Sequence, residues 1–253
     1  MLKIENVEVV GWEPAIRGMR NPMNSWEKSD SLFIPKEFCD EDDTFALAEQ
    51  CGGYAPVIKE NDHKLMASLA KGGPVHAKYR RMIMVYADIT APLYWWKEWD
   101  TYKVGTVANS CSTMHKIHAK EFTLDDFSYE HLLTDEDEAC CAITEFEHAI
   151  DPIDILKLTI KMLNRARDRY LEAKTKPMKE ESKRAALVKK YWWQMIQLLP
   201  SSYNQKRTVM VPYEVLANIH PSRRHHKLDE WHVVCDWIET LPYSELITMK
   251  PEE

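Results

Sequence analysis

The sequence predicts an α+β fold in which a small antiparallel or mixed sheet, formed by the first half, precedes a mostly helical second half. Two early segments have strand character: Ile4–Val10 alternates, and "YRRMIMVYADIT" at 79–90 has β-branched and aromatic residues in its middle. After Asp151, apolar residues recur at helical spacing instead. No repeat or linker interrupts the chain and 45% of its residues are hydrophobic, so residues 1–253 are predicted to form one domain.

Glycine, proline and polar residues divide the first seventy residues into short elements. The segment "EPAIRGMRNPMNSW" at 13–26 is interpreted as a turn that carries two arginines, and 27–42 as a polar loop. A short helix is predicted in "TFALAEQCGG", ending at Gly52 and Gly53. Asp62 is predicted to cap a helix from His63 to Lys71.

A tryptophan-rich helix follows the second strand. Thr90 is predicted as its N-cap and Pro92 as part of its first turn, ahead of "LYWWKEW" at 93–99. A weak strand or coil is expected over 116–123, and an acidic, irregular surface segment with one short helix over 124–150.

Four helices are predicted in the remainder of the chain. Asp151 and Pro152 form a helix start, followed by an apolar stripe made of Ile153, Leu156, Ile160 and Leu163, and widened by Ile155, Met162 and Ala166. A charged connection, "AKTKPMKEESK", follows. The other three helices are expected over 180–198, from Tyr213 to the residue before Pro221, and over 228–241.

Composition excludes several function classes. The net charge of −7 gives no general attraction to nucleic acid or to an anionic membrane, and no apolar run approaches membrane-spanning length. The six cysteines form no CxxC pair and follow no signal-like segment, so they are expected to be reduced thiols in a soluble cytoplasmic protein. The ten histidines have no zinc-type spacing with the cysteines, and no metal site is predicted.

Two basic clusters could bind an anion. "RRHHK" at 223–227 could direct Arg223, Arg224 and a helix N-terminus at one phosphate, although composition alone favours a solvated helix start. In "GGPVHAKYRR" at 72–81, His76 and Lys78 precede a buried strand. They could line a cleft, or simply keep an exposed edge from aggregating.

A third candidate is the neutral stretch "DTYKVGTVANSCSTMHK" at 100–116. Its Cys111 could be a nucleophile, but a lone cysteine without an identifiable base is more often a small buried hydrophobe. The surrounding "NSCST" offers many hydrogen bonds and no fixed charge.

The order of these segments resembles the flavin-dependent thymidylate synthases. The similar segments are "AIRGMR" at 15–20, "HKLMASLAKGGPVHAKYRRMIMVYADITAP" at 63–92, "KEW" at 97–99, the neutral stretch, and "LLPSSYNQKRTVMVPYEVLANIHPSRRHHKLDEW" at 198–231. Each motif is weak, and their shared order and spacing carry the resemblance. It covers most of the chain outside 27–60 and 124–190, and it implies insertions near 27–60 and 124–150.

The resemblance implies roles for particular residues. It places flavin contacts at a set that consists of His76, Lys78, Arg81, Lys103, Asn218 and His226. It places substrate contacts at Glu98, Asn109, Ser110, Cys111, Ser112, Arg223 and Arg224. Arg223 and Lys103 are the residues expected to take part in catalysis.

The signature motif of the family, RHRxxSxNExSxR, is altered in this chain. Thr101, Tyr102 and Lys103 stand for the R-H-R triplet, so one of three basic positions is kept. Cys111 replaces the second serine and Thr113 the last arginine. Neither a threonine nor a tyrosine reproduces the bidentate geometry of a guanidinium.

The family methylates C5 of the uracil in dUMP, and its flavin carries the chemistry. The resemblance therefore implies FAD, with NADPH and methylenetetrahydrofolate as co-substrates, a pyrimidine nucleotide as the substrate, and a homotetramer in which the aromatic helix 92–99 could pack an interface. Two alternatives remain open: the same fold with a changed pyrimidine substrate, and a non-catalytic protein that binds nucleotide or flavin.

Overall fold

The structure, a computed structural model, describes residues 2–40, 43–134, 137, 142–145, 148–177 and 179–249. Cys140 and Cys141 lie outside these residues. The strands are β1 (Lys3–Val10), β2 (Leu32–Pro35), β3 (Tyr54–Val57), β4 (Met84–Pro92), β5 (Val107–Ser110), β6 (Ile143–Glu145), β7 (His148–Ile150) and β8 (Asn204–Pro212). The α-helices are α1 (Trp12–Arg20), α2 (Asp43–Gln50), α3 (Glu60–Lys71), α4 (Leu93–Trp99), α5 (Pro152–Thr175), α6 (Glu181–Leu198), α7 (Tyr213–Arg223), α8 (Asp229–Glu239) and α9 (Glu245–Thr248).

The chain divides into two compact units. One, the sheet unit, consists of residues 2–89, 98–109 and 207–253; the other, the hairpin unit, consists of 90–97 and 110–206. None of the described helices combines the length and the apolar character that a membrane span requires.

A four-stranded sheet, most of whose residues belong to the sheet unit, has the strand order β1-β4-β8-β5. The predictions of β1 and β4 are confirmed, but β8 was not predicted, and the strands are therefore not confined to the first half. Its sequence "NQKRTVMVP" begins with polar residues, and its buried apolar residues come only at its end. The Thr208 hydroxyl donates to Asp88 of β4 at 2.6 Å, and the Asn6 amide of β1 donates to the same carboxylate at 2.9 Å.

The segment predicted as an arginine-bearing turn is helix α1, so that prediction is wrong. Pro14 lies in the first turn of the helix, where its missing N–H is not needed, and Ala15 and Ile16 are buried. The helix begins after Gly11, whose φ of 94° favours glycine. A Cβ on Gly11 would also lie 2.1 Å from the carbonyl oxygen of Met82, so the close approach requires glycine twice over.

Asp62 lies inside α3 rather than at its cap, and that prediction is also wrong. Its side chain is fully buried and pairs with Arg20 of α1 at 2.7 Å. Its second oxygen accepts hydrogen bonds from the backbone N–H groups of Asp30 and Ser31 and from the hydroxyls of Ser29 and Ser31. The predicted polar loop thus carries structure of its own, including β2, which pairs antiparallel with β3, while α2 confirms the predicted short helix.

Thr90 and Pro92 belong to β4 rather than to the start of α4, so the predicted cap is wrong. In the hairpin unit, Trp95 and Trp96 of α4 are fully buried, and the Trp96 indole N–H donates to the Gln205 carbonyl at 2.9 Å. These side chains are already used inside the chain, which argues against the predicted role of the aromatic helix as a subunit interface.

The hairpin unit is built on α5 and α6, which confirm two predicted helices and pack against each other. Ile153, Leu156 and Leu163 of α5 are buried against Met195 of α6 and Phe127. Ile155 and Met162 were expected to widen the buried stripe, but they are 47% and 52% exposed, because α6 covers only the other side of the helix.

The last helices mostly confirm the predictions. Helix α8 lies within the predicted bounds, whereas α7 continues through Pro221 to Arg223 instead of ending before it. The helical hydrogen bond from the Arg224 N–H to the His220 carbonyl, 3.0 Å long, persists beyond the proline. Over 116–123 the chain forms turns rather than a strand, and the short 3₁₀ helix Leu124–Asp126 begins the acidic segment, which also contains the paired strands β6 and β7.

Candidate functional site

A pocket of about 590 Å³ opens in the sheet unit between α7 and the turn that follows α4. The turn is the 3₁₀ helix Asp100–Tyr102, and it places Thr101 and Tyr102 at the pocket. The polar lining is completed by Asn218 and Glu214 of α7 and by Arg81, the last residue of the 3₁₀ helix Lys78–Arg81. Met84, Val104, Pro212 and Val215 provide apolar surface.

Tyr102 connects this pocket to Arg223, the last residue of α7. The Arg223 Nε–H donates to the Tyr102 hydroxyl at 2.9 Å, and Nη2 is 3.0 Å from Oε2 of Glu98. The guanidinium also lies against the Trp231 ring, 4.9 Å from its centroid. With an ion pair, a hydrogen bond and a cation–π contact, the Arg223 side chain is fixed and only 15% exposed.

Two tryptophans form the wall behind Arg223. Trp231 of α8 is fully buried and stacks on Trp99 of α4 with a centroid distance of 6.2 Å and an interplanar angle of 13°. Each follows a glutamate, in "KEW" and "DEW", and the fold brings these two distant segments together. The stacked pair gives the arginine a rigid support.

The other arginines of this region also face carboxylates. Arg81 lies 3.7 Å from Glu214, and Arg207 lies 2.9 Å from Asp100. Arg224 pairs with Asp236 of α8 and lies 3.7 Å from Glu239. The structure therefore directs Arg224 toward α8, and it does not bring Arg223 and Arg224 together around one phosphate position.

The remaining predicted flavin contacts are His76, Lys78, Lys103 and His226. His76, Lys78 and Lys103 are exposed. His76 packs beside Gly72, where an added Cβ would lie 3.2 Å from its ring. The His226 ring accepts a hydrogen bond from the Leu228 N–H at 3.1 Å, just before α8 begins, so this histidine organises the helix start.

A second pocket, of about 510 Å³, lies within the hairpin unit. Its lining includes Cys111, Ser112, Thr113, Lys116, Lys120 and Lys206. The predicted substrate contacts are thus divided: Asn109 and Ser110 are exposed on β5, and Cys111 and Ser112 line this pocket.

Cys111 has a fixed backbone and a free thiol. Its N–H donates to the Lys206 carbonyl at 2.9 Å, and its carbonyl accepts from the Gln205 amide at 2.8 Å. The residue is exposed, which contradicts the interpretation as a buried hydrophobe. By contrast, burial raises the pKa of Cys51 to about 12 and that of Cys235 to about 11, so these thiols are unreactive at neutral pH.

Several polar groups of this pocket already have partners. The Ser112 hydroxyl accepts hydrogen bonds from the N–H groups of Met114 and His115, and Lys120 pairs with Asp126. Burial raises the pKa of the Tyr203 phenol above its usual value, and electrostatic interaction with Asp126 and Cys111 raises it further. The phenol therefore stays protonated.

Sequence reasoning missed several residues that shape these sites. Tyr102 was seen only as a lost basic residue, although it joins Arg223 to the pocket; Glu214 and Trp231 were not singled out. In the sequence, only the Glu-Trp dipeptides of "KEW" and "DEW" pointed to Trp231. Within the described residues, no group of three or more histidine, cysteine or acidic side chains is arranged to hold a metal ion.

Comparisons with known proteins identify the fold. The chain superimposes on thymidylate synthase X (ThyX) of Helicobacter pylori, solved with FAD and dUMP, with a TM-score of 0.52, 14% identity, and 95% of this chain and 96% of that chain covered. A second structure of the flavin-dependent enzyme from the same organism, complexed with FAD and dUMP, gives 0.52 and 14% with 96% of each chain covered. The UMP/dUMP methylase PolB of Streptomyces cacaoi, bound with 5-Br dUMP, gives 0.50 and 10% over 95% of this chain and 88% of that chain.

No protein-family model matches the chain, and no curated protein sequence matches it. The structural likeness nevertheless spans nearly the whole chain, and the predicted flavin-dependent thymidylate synthase-like fold is confirmed.

Proposed function

We propose that the chain is a divergent flavin-dependent enzyme that transfers a one-carbon unit from folate to C5 of a pyrimidine deoxynucleotide, dUMP or a related compound. The observation that carries the proposal is the fixed Arg223 on its tryptophan wall, joined through Tyr102 to the pocket of the sheet unit. Arg223 and Asn218 are residues to which the resemblance gave substrate and flavin roles, and both lie at this site.

The pocket residues fit part of a flavin. Asn218 offers an exposed amide for the edge of a heterocycle, and Arg81 offers a cation for a phosphate. Met84, Val104 and Val215 can face a flat ring. A bound FAD would supply the hydride, with NADPH as the reductant and methylenetetrahydrofolate as the carbon donor, while these side chains would bind and orient the reactants.

The experiment starts with the purified protein and FAD. Retained flavin absorbance after gel filtration and a thermal shift with dUMP are expected, and colourless protein after soaking with FAD would count heavily against the proposal. Rescue of a thymidine-requiring bacterium tests the complete reaction.

Arg223→Ala tests the site itself. A charge-assisted pair contributes about 1.5–3 kcal/mol, part of which the Glu98 carboxylate offsets here, so dUMP affinity is expected to fall several-fold or more. Arg169→Ala removes an exposed arginine that pairs with Glu172 on α5 and is the matched control. Unchanged dUMP affinity in Arg223→Ala would remove Arg223 from the site.

A changed substrate is the second candidate, and the paired arginines favour it. Arg81, Arg207 and Arg223 each face a carboxylate, which reduces the attraction of the site for phosphate. A yellow protein that fails to bind dUMP but binds another pyrimidine would select this candidate. Bound ligand without turnover would select the non-catalytic alternative.

We also propose a homotetramer located in the cytoplasm, as the resemblance implies. Ile155, Leu158 and Met162 support self-association, because they form an exposed apolar stripe at helical spacing on α5. Light scattering measures the assembly directly.

A further inference from the structure

One of the two hydrogen-bonding edges of the Arg223 guanidinium is already occupied. A guanidinium binds a carboxylate or a phosphate most strongly through two parallel N–H groups on one edge. In Arg223, the Nε–H of that edge donates to Tyr102 at 2.9 Å, and Nη2 faces Oε2 of Glu98 at 3.0 Å. Since the Trp231 ring covers one face of the side chain, an anion that binds through this edge has to compete with Glu98.

We propose that Glu98 is a specificity-determining residue whose carboxylate holds the anion position of Arg223 and weakens phosphate binding there. The inference rests on the proposed function and deepens it: the site favours the uncharged part of a pyrimidine ligand over its phosphate. A phosphate on Arg223 would lie close to the Glu98 carboxylate and be repelled, or it would have to displace it.

The surroundings make Glu98 the sensitive position. Its side chain is 42% exposed, so it can rotate into solvent when displaced, whereas Arg223 is only 15% exposed and is fixed by its aromatic contacts. The neighbouring Asp100 is already paired with Arg207 at 2.9 Å. Removing the charge of Glu98 therefore leaves the Arg223 cation available.

The substitution Glu98→Gln is nearly isosteric and keeps a carbonyl oxygen that can accept from Arg223. The matched control is Asp236→Asn, which removes one negative charge from an arginine pair on the adjacent helix α8, at Arg224. Both variants change the net charge equally, so general electrostatics affects them alike.

Binding is measured by calorimetry for dUMP, deoxyuridine and inorganic phosphate, and thermal melting checks that each variant is folded. Glu98→Gln is expected to bind dUMP and inorganic phosphate about tenfold more tightly than the unchanged protein, a free-energy difference of about 1.4 kcal/mol. Deoxyuridine affinity is expected to change by less than about twofold, as are all three affinities in Asp236→Asn. Adding Arg223→Gln to Glu98→Gln should abolish the gain.

Several results would overturn the inference: unchanged or weaker phosphate binding in Glu98→Gln, an equal gain for deoxyuridine, an equal gain in Asp236→Asn, or a gain that survives Arg223→Gln. Failure of the proposed function is a separate result, in which no variant binds dUMP or deoxyuridine. Inorganic phosphate still decides the inference in that case, because tighter binding in Glu98→Gln supports it and its absence rejects it.

Discussion

Asp62→Asn is expected to lower the free energy of unfolding by about 3–5 kcal/mol, the range for breaking a buried ion pair. Asp62 is fully buried and its partner Arg20 is 4% exposed, so neither group can be rehydrated without opening the fold. One carboxylate oxygen faces the Arg20 Nε–H at 2.7 Å, and the other accepts four hydrogen bonds. An asparagine carries no charge, and its NH₂ group, which is itself a donor, would face groups that also donate.

The assay is urea denaturation followed by circular dichroism. The control is Glu49→Gln, which breaks a 2.7 Å pair with Lys36 whose side chains are 55% and 39% exposed, and which should cost less than about 1 kcal/mol. A loss below about 1 kcal/mol in Asp62→Asn would refute the argument from burial. The result also bears on "AIRGMR", because a large loss assigns Arg20 to the fold rather than to a ligand.

Acid provides an independent check of the same pair. Burial alone would raise the pKa of Asp62, but hydrogen bonds from Ser31, Ser29 and Arg20 outweigh it and lower the pKa from its usual 3.8. A lowered folded-state pKa stabilises the fold above the unfolded-state value, and this contribution is lost as pH falls through the folded-state value. The acid loss of stability below about pH 4 should therefore be shallower in Asp62→Asn.

Two further predictions concern single exposed side chains. Cys111→Ser is expected to leave the melting temperature unchanged and ligand affinity within about twofold. Iodoacetamide should label Cys111 well before the buried Cys51 and Cys235, whose pKa values are about 12 and 11. Lost turnover in a folded Cys111→Ser protein would identify Cys111 as a nucleophile instead. Leu158→Glu should shift the assembly toward smaller species in light scattering without lowering the melting temperature, since Leu158 is 56% exposed, whereas the nearby Lys161→Glu should leave the assembly intact.

The elements that could be predicted are those whose own residues determine them. Ile153, Leu156 and Leu163 repeat at helical spacing and are buried in α5, and β4 carries its β-branched and aromatic residues in sequence. Helix α1 could not be recognised, because Pro14 and Gly18 resemble helix breakers until Gly18 is seen beside Met82. Long-range packing, rather than local propensity, stabilises that helix.

The candidate site was predictable as a set of segments but not as pairs. The sequence pointed to Arg223, Asn218 and Glu98, and the structure places them around one part of the sheet unit. It could not reveal that Tyr102 bonds to Arg223, since 121 positions separate them. Nor could it show that Arg224 turns toward Asp236, because adjacent residues of a helix project in different directions.

These pairings change the meaning of the neutral stretch 100–116. The altered signature motif suggested that charge was simply missing from the site. The structure instead shows that the Tyr102 hydroxyl accepts a hydrogen bond from Arg223 and that the Asp100 carboxylate neutralises Arg207, so residues of the stretch bind the cations that remain elsewhere in the sheet unit. Affinity at such a site has to come from hydrogen bonds and apolar contact more than from phosphate neutralisation. Selectivity would then depend on whether a ligand can displace the Glu98 carboxylate from Arg223. The Glu98–Arg223 pair is therefore the most informative place for a substitution.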